Sequence, residues 1–216
     1  MASAQADKCS AWSGMHTTAL VELYTADDCS PCLPADRWLA ALGSRAPADR
    51  LLAFALHVDY GDYTGAKRGV FPRQRKLTRL QRMALLYTPQ IMLQGTGFRG
   101  WDTSAFDEAV ARINAQAARA TLGLEIVSLG SEAMTIRATA ELAASVMKDD
   151  AVLYLAAYEA QAQRRLILEW EGPFALTVER RLALLPKATP RRSGGAAFVQ
   201  SRRTGEILQA LALPAC

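Results

Sequence analysis

The stretch VELYTADDCSPCLPADRWL, residues 21–39, decides the fold. Read back to Thr18, its first part is TALVELYT, a run rich in Leu, Val and Tyr that reads as a buried strand. The turn formers Ala26, Asp27 and Asp28 follow, and then Cys29-Ser30-Pro31-Cys32. From Leu33 to Leu42 the apolar residues Leu33, Trp38, Leu39, Ala41 and Leu42 recur at helical spacing, and Gly43 is the expected stop.

A Cys-x-x-Cys pair set between a buried strand and a helix places both sulfurs at the helix N-terminus. There the unpaired amides and the helix dipole favour a thiolate. This is the placement that thiol–disulfide exchange needs. Cys29, nearer the tip, is the candidate attacking sulfur, and Cys32, one turn in, is the candidate that resolves a mixed disulfide. Pro31 fixes the backbone between them and, lying in the first turn, costs no helix hydrogen bond. Half of a zinc site has the same spacing, but zinc takes four ligands. Besides the distant Cys9 and Cys216 the chain offers only His16 and His57, so no metal is expected.

Outward from the motif, LLAFALHV (51–58) is almost continuously apolar, as suits a strand covered on both faces. No acidic residue occurs from Tyr63 to Trp101, a segment that holds Lys67, Arg68, Arg73, Arg75, Lys76, Arg79 and Arg82. Its part 73–86 reads as a basic amphipathic helix with Leu77, Leu80 and Leu85 inward. Such a face is solvated in most proteins; binding of an acidic partner is the other reading. Thr88-Pro89 opens a further apolar strand, 89–94, and 103–119 has the charge order of a helix, with Asp107 and Glu108 early and Arg119 late. Beyond Ala120 the pattern changes to strands at 121–129, 133–142, 151–160, 174–185, 196–202 and 206–213, which predicts an antiparallel sheet or small sandwich.

The chain has 216 residues, half of them apolar, with a net charge of +4 and a mean hydropathy of +0.02. Those values exclude wholesale disorder. They are also less basic than a dedicated nucleic-acid binder, so no nucleic-acid partner is expected. No run reaches about 18 uninterrupted apolar residues, so no membrane span is expected. Ala4-Gln5-Ala6 fits the small-residue pattern before a signal-peptidase cut without an apolar region ahead of it, which reads as a chain starting near a mature N-terminus. A cytosolic protein with a short polar leader is the alternative. Cys9 and Cys216 are either two free thiols or a bond closing nearly the whole chain, which would persist in an oxidising compartment.

The order strand, CSPC, helix, strand, helix, Thr88-Pro89, strand resembles the thioredoxin fold. More specifically, VELYTADDCSPCLPADRWL (21–39), HVDY (57–60), RQRK (73–76) and YTPQ (87–90) resemble a bacterial family of secreted thioredoxin-like proteins of unknown function. The resemblance implies a thioredoxin-like α/β domain at 17–120 followed by an all-β, sandwich-like domain at 121–216. It implies a cis bond before Pro89, with Thr88 and Pro89 shaping a substrate groove beside the CxxC. It also implies a structural disulfide between Cys9 and Cys216. Two departures stand out. GDYTGAKRGVFP (61–72) replaces a tryptophan-rich stretch, and Asp27 and Asp28 precede Cys29 where thioredoxins carry an aromatic residue. Carboxylates there oppose the helix dipole and raise the Cys29 thiol.

The expected function is a periplasmic thiol–disulfide oxidoreductase acting on protein cysteines, with Cys29 and Cys32 catalytic, no cofactor, and a redox partner as second substrate. Two alternatives share the fold: Cu(I) binding by the Cys29 and Cys32 thiolates with His57, and a partner-binding module whose CxxC is a structural bond. His57 reads foremost as a hydrogen-bonded strand-end residue, and Asp59 and Asp62 as a polar turn. Trp38 and Trp101 read as packing residues, and Trp170 belongs to the β half.

Overall fold

The computed structural model describes residues 9–58, 70–160, 164–173, 177–184, 188–214 and 216. Ala4-Gln5-Ala6, Asp59, Asp62, the stretch 61–69 with Lys67 and Arg68, and the side chain of Trp170 lie outside the described residues. The first part of the chain runs β1 (Ser10–Trp12), β2 (Ala19–Thr25), α1 (Cys32–Arg45), β3 (Leu51–His57), α2 (Val70–Leu80), β4 (Gln90–Leu93), β5 (Thr96–Gly97) and α3 (Ser104–Asn114). The rest runs β6 (Ala120–Leu129), β7 (Ala133–Leu142), β8 (Ala151–Ala160), β9 (Arg164–Pro173), β10 (Thr177–Ala183), β11 (Ser193–Ser201) and β12 (Ile207–Pro214).

The architecture is mixed α/β, with mostly antiparallel pairing. An eight-stranded sheet has the order β12-β11-β8-β9-β3-β2-β4-β5, and a four-stranded sheet the order β1-β6-β7-β10. Strands from 17–120 and from 121–216 therefore share one sheet, joined where β3 runs parallel to β9. Side-chain amides extend this junction. Gln94 accepts from the Leu20 amide and donates to the Ile207 carbonyl, while Gln209 accepts from the Thr18 amide and donates to the carbonyls of Gly14 and His16.

All seven residues of β2 are buried because helices cover both faces of the sheet here. Val21, Leu23, Ala53 and Ala55 meet Ala35 and Leu39 of α1 and Phe106 of α3. On the opposite face Leu20, Tyr24, Phe54, Tyr154 and Phe198 pack with Leu77 of α2. Further along the sheet Leu153, Leu155 and Val199 meet Leu122, Ile136 and Leu182 of the small sheet, which forms the sandwich-like part. Each fully buried side chain of this size contributes about 1.5–3 kcal/mol through removal from water.

Several boundaries differ from those read in the sequence. Gly43 does not stop α1. The helix runs on to Arg45, and Ala46 turns extended ahead of Pro47, whose ring disfavours helix in the residue before it. The basic helix lies at 70–80, not 73–86. It closes with the Arg82 amide bonded to Arg79 O and the Met83 amide to Thr78 O, Arg82 taking a φ of 54°. This left-handed closure turns the chain outward, so Leu85 is exposed, not inward, and Leu80 at the end of the helix is exposed as well, leaving Leu77 alone of the three inward. The helix expected at 103–119 ends at Asn114, whose side chain donates to the carbonyls of Thr17 and Arg50. Strands β1, β5 and β9 were not expected from the sequence.

Candidate functional site

The chain leaves β2 through a turn at Asp27 and Asp28 and enters α1 at Cys32. The Cys32 amide bonds Cys29 O at 2.9 Å, closing one turn over Ser30 and Pro31. Cys29 and Cys32 are joined in a disulfide with Cα atoms 5.3 Å apart. Cys32 is fully buried, whereas Cys29 is half-buried. The first turn of α1 carries no acidic residue and no side-chain cap. Its amide dipoles thus point at the sulfurs without internal competition.

Register brings three other segments to this end of the sheet. Tyr24 pairs with Gln90, so the cis Thr88-Pro89 bond lies beyond the last residues of β2, where the chain turns toward the cysteines. Gln74 of α2, fully buried, donates to Tyr87 O at 3.0 Å and to the Gln90 side chain at 2.8 Å, fixing the segment that carries Thr88 and Pro89. Thr25 pairs with His57 at the end of β3, and His57 Nδ1 lies 2.8 Å from an Asp27 carboxylate oxygen. Asp27 is thereby held by a ring that is itself mostly buried.

Asp36 sits one turn after Cys32 on α1. Its Oδ2 accepts the Thr25 hydroxyl at 3.2 Å, and its buried Oδ1 has no hydrogen-bond partner among the described residues. A carboxylate oxygen left without a donor in a protein interior is costly to bury.

Below the site the fold holds an ion pair that sequence reasoning missed. Glu22 of β2 receives two hydrogen bonds from Arg73 of α2, at 2.5 and 2.8 Å, and Arg73 also donates to Gln200 at 2.8 Å. The guanidinium lies 4.6 Å from the Tyr154 ring centre and 4.7 Å from that of Phe198. Burial, the largest single influence, opposes its charge, but the Glu22 carboxylate together with Tyr24 and Tyr154 more than offsets it and holds the Arg73 pKa above its ordinary value. Burial, with Glu22 beside it, pushes the Tyr24 hydroxyl well above the usual tyrosine range. The signal in the sequence was one carboxylate inside TALVELYT, since a charge in a strand covered on both faces requires a partner.

Cys9 and Cys216 form the second disulfide, with Cα atoms 5.7 Å apart. It joins the start of β1 in the small sheet to the end of β12 in the large one. Trp38 packs against Trp101 and Phe106. Among the described residues no three His, Cys, Asp or Glu side chains converge as a metal site would need.

Residues 20–167 match a family described as Protein of unknown function (DUF1223). The chain belongs to the DUF1223 family. Among solved structures this DUF1223 member is similar to HBP35 of Porphyromonas gingivalis, with a TM-score of 0.68 at 14% identity over 94% of this chain and 76% of that one. At that identity the likeness is one of fold. A domain of the outer membrane lipoprotein Omp28 from Porphyromonas gingivalis overlaps 45% of this chain and 88% of its own, with a TM-score of 0.37 at 10% identity. No curated protein matches the sequence. No helix among the described residues is long and apolar enough to cross a membrane.

Proposed function

We propose that this DUF1223 member is a thiol–disulfide oxidoreductase of the periplasm, acting on protein cysteines through Cys29 and Cys32. Its part 17–120 serves as a thioredoxin-like unit, and 121–216 as a β unit built onto it. The observation that carries this reading is the asymmetry of one disulfide: a half-buried Cys29 and a fully buried Cys32 at the start of α1. An incoming thiolate can reach the first sulfur while the second is the leaving group. The two disulfides of the chain also suit an oxidising compartment.

In the oxidised form a substrate thiolate attacks Cys29 Sγ. The Cys29–Cys32 bond breaks, its electron pair goes to Cys32, and a mixed disulfide forms. The substrate's second thiolate then attacks its own sulfur in that bond and releases Cys29. Two electrons have passed from the substrate dithiol to the protein, and the redox partner removes them. Thr88 and Pro89 shape the groove for the substrate backbone. The bond between Cys9 and Cys216 stays closed throughout.

Equilibration against graded glutathione ratios, followed by thiol trapping and mass mapping, tests the reading. The expected result is reversible opening of Cys29–Cys32 with Cys9–Cys216 intact. A near pair that stays closed at every accessible potential overturns it and leaves the CxxC a structural bond.

A further inference from the structure

Helix α2 divides its surface sharply. Arg73, Gln74, Leu77 and Thr78 are buried against the sheet. Pro72, Arg75, Lys76, Arg79 and Leu80 recur at the helical spacing of one stripe and line a cavity of about 500 Å³. The stripe is thus three cations between two apolar ends. Like charges at i and i+4, such as Arg75 and Arg79, disfavour the helix that carries them. Neither guanidinium has an ion-pair or hydrogen-bond partner among the described residues. The stripe is also rigidly mounted: Lys76 Nζ donates to Tyr154 Oη at 3.0 Å, and the buried Arg73–Glu22 pair anchors the next residue face to β2.

We propose that this stripe is a docking surface for an extended, acidic peptide segment of a partner protein. The spacing selects that class. Residues i and i+4 of a helix are about 6 Å apart along its axis. Alternate side chains on one face of an extended strand are about 6.7 Å apart. Two carboxylates at alternating positions therefore meet Arg75 and Arg79 together, each accepting the planar fork of a guanidinium. The apolar ends at Pro72 and Leu80 receive the uncharged residues on either side. A membrane surface fits less well, because the apolar face of α2 is spent on the protein core through Leu77. A single-stranded nucleic acid fits less well too, since none of these lining residues is an aromatic platform for a base. The inference does not depend on the redox chemistry proposed above.

The test is fluorescence anisotropy on the full chain with a labelled peptide, Ala-Asp-Val-Asp-Val-Ala, against an isomer with the two aspartates adjacent. Both are titrated against the wild type, the Arg75→Gln/Arg79→Gln variant and an Arg202→Gln/Arg203→Gln control that removes the same charge from another exposed site. We expect the alternating peptide to bind several-fold tighter than its isomer, and the first variant to lose about tenfold in affinity while the control loses less than about twofold. Equal losses in the two variants, or equal binding of the two peptides, overturn the proposal by reducing it to general electrostatics. Tighter, Arg75- and Arg79-dependent binding of inorganic phosphate, an oligonucleotide or anionic phosphatidylglycerol vesicles also overturns it. The comparison of peptides on the wild type stands whether or not a variant folds.

Discussion

Arg73 grips both carboxylate oxygens of Glu22 across 51 residues of sequence, with the two side chains only 2% and 1% exposed. The pair fastens α2 to the strand that delivers the cysteines. Removing one member leaves a charge buried without its counterion, which costs about 3–5 kcal/mol. Arg73→Met is expected to lower stability by that amount in urea unfolding. Glu22→Leu combined with Arg73→Met is expected to recover most of the loss, since the uncompensated charge is gone. A double variant as unstable as the single one contradicts this account.

Tyr24 gives the fold an alkaline limit. Its hydroxyl, close to Glu22, has a native pKa raised by burial first and by that carboxylate second. The native state therefore keeps the proton that the unfolded chain gives up near pH 10. Stability from this group is complete below that pH and falls as pH rises toward the raised native value, by about 1.4 kcal/mol per pH unit. The difference between wild type and Tyr24→Phe in unfolding free energy, followed from pH 8 to 11, should show that slope. A difference independent of pH contradicts it.

The disulfide at the chain ends is expected to carry a large part of the stability. Closing a loop of this length stabilises by about 5 kcal/mol in the chain-entropy model. Cys9→Ser with Cys216→Ser should lower the urea midpoint by an amount equivalent to about 2–5 kcal/mol, with little change in the reactivity of Cys29. An unchanged midpoint would mean that the two sheets hold the ends together unaided.

What could be read in the sequence was local. The apolar run of β2, the CxxC spacing and the helical period after it lie within 25 residues and obey one pattern each. The β-strands after Ala120 show through alternation for the same reason. What escaped depended on distance or competition. Arg73 looked like one cation among many on a basic helix, because nothing nearby in the chain marks its partner in β2. Leu85 carried the right period for the helix face, but the left-handed closure at Arg82 ends the helix first. Strand β9 is rich in charge at its ends, and short β1 owes its conformation to pairing with β6. Asp36 gave no sign of its orphaned oxygen, which arises only when Thr25 and α1 are packed together.

The bond between Cys9 and Cys216 turns the molecule between those residues into a covalent ring. A protease that cuts any loop inside it adds one water and opens the ring without releasing a fragment, and the nicked protein runs as one piece until it is reduced. A force pulling on the two ends likewise bypasses both sheets and is borne by the sulfurs alone.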